Sequence, residues 1–191
     1  KTTFYAEAGG QIGDIGEIIG PSSSFKVSGT TSISRAYLHE GTVGEGFMRV
    51  GDDVSVKVNP EIREAIRINH SATHLLHAAL RKVLGEHVKQ RGSRVGAETL
   101  RFDFSHFNPV SEDELTQIED LVNDEIRKNS KVITEVMNID QAMKLGAMAL
   151  FDEKYSEEVR VLSMGNGFSL ELCGGTHATA TGEIRIFQIM S

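Results

Sequence analysis

The chain has 191 residues and a formal net charge of −7, with 39% hydrophobic and 25% charged side chains. That balance can bury a core. The acidic excess argues against a protein that coats nucleic acid by bulk charge, yet it leaves room for a local basic patch. One cysteine rules out an internal disulfide and fits a reducing compartment, where packing, metal ligation or catalysis are its uses. No apolar run approaches the ~18 residues of a membrane span, and no signal or transit segment is visible. The chain starts in strand-like sequence at Lys1 and stops just after "EIRIFQIMS", so it reads as a piece cut from something longer.

Residues 1–58 read as all-β, a small barrel or sandwich. Glycine recurs there, and short runs such as "FKVSG", "GFMRV" and "VSVKV" alternate apolar with polar. Asn59-Pro60 is a helix-start signal. The helical pattern runs to about Leu84, with Gly85 as its stop. Ile62, Ala65, Ala72, Leu76, Ala79 and Val83 form one apolar stripe, and His70, His74 and His77 centre on nearly the opposite side. "LRFDFSH" (100–106) alternates like a strand. Ser111 and Glu114 have the form of a capping box opening a second helix that ends near Asn129. A strand at 131–139, a short helix at 140–151 and three strands, "EEVRVLSM", "FSLELC" and "GEIRIFQIM", complete an α+β two-layer sandwich over residues 59–191.

Two spacings carry chemistry. His70 and His74 form H-x₃-H on the first helix, and Cys173 and His177 form C-x₃-H around a Gly-Gly turn in "LCGGTHA". A helical i,i+4 pair can share one ion. A thiolate and a third imidazole complete a set that suits zinc. His77 shares the face, but the other pair does not need it; packing or support of the ligands is its expected part. A covalent Cys173–His177 dyad is the alternative, and it leaves the two helical histidines unexplained. No glutamate stands between those histidines as a zinc-protease motif requires. Residues 81–101 carry six basic side chains against two acids, and Lys89, Arg91 and Arg94 are the candidate phosphate contacts.

Together "FYAEAGGQIGDIG", "NHSATHLLHAALRKVLGEHVKQRGS", "LRFDFSH" and "LCGGTHATATGEI" closely resemble the editing domain of alanyl-tRNA synthetases, end to end. The two metal motifs alone would also fit the threonyl-tRNA synthetase editing domain. The "GGQIGD" segment followed by a small β domain points to the alanyl branch, and it fits free-standing trans-editing proteins as well. The resemblance implies a Gly-rich, β-barrel-like subdomain over 1–58, then a metal-binding editing domain over 59–191 whose two layers include an antiparallel sheet. It implies hydrolysis of the ester joining serine or glycine to the 3′ end of alanine tRNA. Zinc would be held by His70, His74, Cys173 and His177. Gln90, His70 and Cys173 would serve the reaction, and Gly9, Gly10, Gln11, Gln90 and Thr176 the substrate. An intact synthetase would carry ATP-dependent aminoacylation before residue 1 and an oligomerising segment after residue 191, and would be cytoplasmic. A non-catalytic, zinc-stabilised tRNA-binding module is the rival expectation.

Overall fold

A computed structural model describes residues 1–34, 36–149 and 156–190. The N-terminal strands are β1 (Gly16–Gly20), β2 (Ser23–Ile33), β3 (Ala36–Glu45) and β4 (Ser55–Val58). They form one antiparallel sheet in the order β3-β2-β1-β4. The sheet is open at both edges among the described residues, so the expected barrel does not close. The reason lies in strand length. β1 spans five residues and pairs only with Ser23–Val27 of β2, whereas β2 and β3 pair onward to Ile33 and Ala36. The surplus projects as a two-stranded arm. "GFMRV" is not a strand: Asp52 accepts the Arg49 amide in a turn, and Phe47 and Val50 face solvent.

α1 (Pro60–Leu84) has the boundaries its sequence encodes, with the Asn59 side chain accepting the Ile62 amide and Gly85 ending the helix at φ 112°. Buried residues run without a break from His70 to Leu80. The imidazole side is therefore as enclosed as the aliphatic one. A hairpin of β5 (Lys89–Val95) and β6 (Leu100–Ser105) follows, with a register shift between Gln90 and Gly92. α2 (Glu112–Arg127) opens on the full Ser111/Glu114 capping box, which stabilises a helix start by about 1 kcal/mol. Leu75, Leu76 and Ala79 of α1 pack against Ile118, Val122 and Ile126 of α2 in one core.

β7 (Ile133–Asn138), β8 (Glu158–Met164) and β9 (Ser169–Leu172) form a separate antiparallel sheet. Alternation along β8 sends Leu162 and Met164 into the α1/α2 core. Val159 and Val161 join a second cluster with Ala142, from α3 (Ile139–Lys144), and Ala147. The short helix expected at 140–151 thus ends early, and positions 150 and 151 lie outside the described residues. "GEIRIFQIM" does not form a strand either. It is a single 3-10 turn at Thr181–Ile184 followed by irregular chain, with Arg185 at φ 68°. α2 side chains stand in for a neighbouring strand: the Asn123 amide bonds both the N–H and C=O of Phe187, and Glu119 accepts the Ile189 amide. Among the described residues no helix is long and apolar enough to cross a membrane.

Candidate metal centre and adjoining cavity

The arm of β2 and β3, the 3–11 segment, α1, β5 and the loop after β9 meet around one cavity of about 670 Å³. This lies within the range of about 300–1,000 Å³ common for small-ligand sites. His70, His74 and Cys173 line it, with Gln90 on the β5 side, Thr176 on the loop and Tyr37 on the arm.

The four sequence-flagged residues converge. The donor atoms of His70, His74, Cys173 and His177 lie within 4.8 Å of one another. His74 Nε2 is 3.2 Å from His177 Nε2. Cys173 Sγ is 3.5 Å from His70 Nε2 and 3.4 Å from His177 Nε2. Zinc bonds of about 2.0–2.1 Å to nitrogen and 2.3 Å to sulfur imply tetrahedral edges of about 3.3 Å between nitrogens and about 3.6 Å from nitrogen to sulfur. These three of the six edges match those figures, and the set as a whole is compact enough to share one ion.

The outer partners fix the rings. His70 Nδ1 donates to Gln11 Oε1 at 2.8 Å, and the Thr176 amide donates to the same oxygen. His74 Nδ1 lies 2.5 Å from one Glu171 oxygen, and His77 Nδ1 lies 2.9 Å from the other. Protons held at the Nδ1 atoms of His70 and His74 leave their Nε2 lone pairs facing the cluster, as metal-ligating histidines require. His77 thus shares the carboxylate that orients His74. Among the described residues its Nε2 and the Nδ1 of His177 are buried without a partner.

The charges follow from this geometry. Burial pulls His74 down, but the charges of Glu171 and Cys173 and hydrogen bonds from both push it up to about 10. Burial would raise Glu171, yet the His74 charge and hydrogen bonds from both imidazoles hold it near 2. The Cys173 thiol, raised by burial, is carried well below its usual range by the His74 charge and by bonds from His177, His70 and His74. Burial drives His177 down to about 3. In the chain alone His74 is thus an imidazolium between two enclosed anions, Glu171 and Cys173, and a metal ion at the centre would displace its Nε2 proton.

The Gly-Gly turn is shaped by the same rings. A Cβ at Gly175 would meet His70 Cε1 at 2.2 Å and Gln11 Oε1 at 2.9 Å, whereas Gly174 faces open space. Arg160 Nη1 donates to the carbonyls of Cys173 and Gly175, and Arg67 Nε donates to that of His177. Gly9 borders the cavity, while Gly10 packs against β5, where a Cβ would strike the Ser93 carbonyl at 2.6 Å. Gln11 is fully buried and engaged with His70 and Thr176. Lys89, Arg91 and Arg94 are exposed on β5.

Glu171 was not singled out from sequence. Its position carried a signal, since strand alternation puts residues 169, 171 and 173 on one face and so sets an acid beside the cysteine. Arg160 and Arg67 act through backbone carbonyls, and no side-chain spacing foretells that.

The two sequence profiles that match define the class. Residues 1–62 match the profile of tRNA synthetases class II (A), and residues 159–191 match that of the threonyl and alanyl tRNA synthetase second additional domain. The chain is 57% identical over 190 residues to the alanine–tRNA ligases of Pseudomonas syringae pv. tomato and pv. syringae. It is 54% identical over 191 residues to that of Pseudomonas fluorescens. Each alignment covers 100% of this chain and 22% of the relative. Along its whole length the chain is thus similar to alanyl-tRNA synthetases, and it spans about a fifth of the length of these relatives.

Proposed function

We propose that this chain is the editing portion of an alanyl-tRNA synthetase, a zinc-associated hydrolase of seryl or glycyl esters on alanine tRNA. The observation that carries the reading is that three of the four donor residues, His70, His74 and Cys173, line a ligand-sized cavity, whereas a purely structural site needs no adjoining cleft. An alanine-sized pocket rejects a single added hydroxyl only about a hundredfold, so a second site must remove the error. Residues 1–58 would be the Gly-rich β subdomain and 59–191 the metal-binding editing domain. Aminoacylation with ATP and oligomerisation would belong to other parts of a longer, cytoplasmic enzyme.

His70, His74, Cys173 and His177 would hold zinc, which when bound would orient the pocket or, on exchanging one ligand for the substrate's amino group, position the ester. The chain's own groups supply orientation. Glu171 and Gln11 keep protons on the Nδ1 atoms of His74 and His70, so that Nε2 remains a donor to the ion. Gln90 in the cavity wall would bond the amino acid's hydroxyl or the terminal adenosine, and Thr176 lines the same cavity. Gly9 leaves the rim free of side chain. Water adds to the ester carbonyl, the bond to the ribose oxygen breaks, and serine leaves as the free amino acid while the tRNA hydroxyl regains its proton. Lys89, Arg91 and Arg94 would bind the RNA backbone.

Deacylation of Ser-tRNA(Ala) by wild type and by Cys173→Ala tests the proposal. Wild type should release serine well above background and the variant at least about a hundredfold more slowly. No release by wild type at high enzyme concentration, or full activity in the variant, contradicts it. Metal retained by an inactive wild type would favour the non-catalytic, zinc-stabilised module.

A further inference from the structure

At the base of the β5–β6 hairpin three rings gather on the surface. His87 stacks on Phe107, with centroids 4.7 Å apart and an interplanar angle of 21°. It also stacks on His106 at 5.1 Å and 22°, and its Nε2 lies 2.9 Å from His106 Nδ1. These are not core residues: His87 is exposed and Phe107 is 83% exposed. A lone exposed apolar side chain needs no explanation. Here His87 stacks on both neighbours, which are themselves tilted at 39° with centroids 6.5 Å apart, and Phe107 is almost wholly in solvent, an apolar ring surface that water solvates poorly.

The setting decides what that face fits. His87 is two residues from Lys89, and His106 follows Ser105, the residue that Lys89 pairs with across the hairpin. Exposed Arg91 and Arg94 continue the basic run along β5. Aromatic faces next to a row of cations are the combination that binds single-stranded nucleic acid, with bases stacking and cations following phosphates. Gln90, which is in the cavity wall, is three positions along the chain from His87. Along the chain that is at most about 11 Å.

We propose that His87, His106 and Phe107 form a stacking platform for an unpaired nucleotide of an RNA 3′ end, next to the terminal one that enters the cavity. The identity of the RNA rests on the editing reading, but the existence of the platform does not. A base on Phe107 would set the direction of the strand, and Lys89 would hold the phosphate between platform and cavity. The sequence-independent part of the grip would then lie outside the cavity, leaving the cavity wall to read the amino acid.

Two fluorescent RNA hairpins with the same stem, one ending in four unpaired 3′ nucleotides and one blunt, test the platform by anisotropy. Wild type should bind the tailed hairpin about tenfold more tightly, the scale of stacking one base on an aromatic ring. Phe107→Ala and His87→Ala should lose most of that preference, and Phe107→Trp should keep it. Lys89→Gln should weaken the tailed hairpin and leave the blunt one nearly unchanged, because the phosphate it holds lies in the tail. Equal binding of the two hairpins by wild type, or an intact preference in Phe107→Ala, overturns the platform. Because the side chains are exposed, a melting temperature within about 2 °C of wild type is expected for each variant. An enzyme that shows the tail preference but releases no serine would sink the editing reading and leave the platform standing. Serine release without any tail preference would do the reverse.

Discussion

Glu171→Gln is expected to weaken metal binding about 10- to 100-fold, the usual scale for losing a carboxylate that orients a ligating histidine. Glu171 is fully buried and takes a hydrogen bond from each of two imidazoles. A glutamine keeps one acceptor oxygen, while its NH₂ group must face the second imidazole N–H. One of the two rings then loses its anchor. His74, with the shorter contact, would retain the oxygen, and His77 would be left unpaired at both nitrogens, because its Nε2 already has no partner. Glu171→Leu removes both acceptors and leaves two buried imidazole N–H donors unpaired. That should cost about 3–5 kcal/mol of folding stability. Urea denaturation with saturating zinc and with chelator checks both variants. Wild-type stability and metal affinity in Glu171→Leu would show that the carboxylate does not organise the site.

Gly175→Ala should be as severe for a different reason. The added methyl would lie 2.2 Å from His70 Cε1 and 2.5 Å from Nδ1, far inside contact distance. Either His70 swings away from Gln11 and the cluster, or the turn between Cys173 and His177 opens. Each change separates ligands that come from α1 and from the loop after β9. Overpacking of this kind costs about 1–3 kcal/mol in a folded interior. The effect on metal affinity should be larger, about a hundredfold or more, since two ligand-bearing elements shift together. Gly174→Ala is the matched control, because its methyl would enter open space and the backbone there is not in the left-handed region. Isothermal titration with zinc on the apo proteins separates them. Equal affinities for the two variants would contradict the packing argument.

The sequence disclosed the site better than it disclosed the sheets. A helix that places polar donors four residues apart advertises them by spacing alone, and Asn59, Pro60 and Gly85 marked its ends because caps depend on local chemistry. The same holds for Ser111 and Glu114. Strand pairing depends on partners far along the chain, and here prediction failed. "KQRGSRV" carries no alternation of apolar and polar residues, so β5 was missed, although its bulge at Arg91 and its exposed outer face account for the pattern. "GEIRIFQIM" alternates well and yet is not a strand, because Asn123 and Glu119 on α2 satisfy its backbone first. The open sheet of β1 to β4 could not be told from a barrel, since closure depends on strand lengths and shear rather than on alternation. Residues that act through backbone carbonyls, such as Arg160, leave no trace in side-chain spacing.

X-ray absorption at the zinc edge on the zinc-loaded protein tests the central claim most directly, because it counts and identifies the donors around one ion. The account predicts one tightly held zinc per chain, with three nitrogens at about 2.0–2.1 Å and one sulfur at about 2.3 Å. A zinc shell without sulfur, or a protein that binds no stoichiometric metal with all four residues intact, would contradict it.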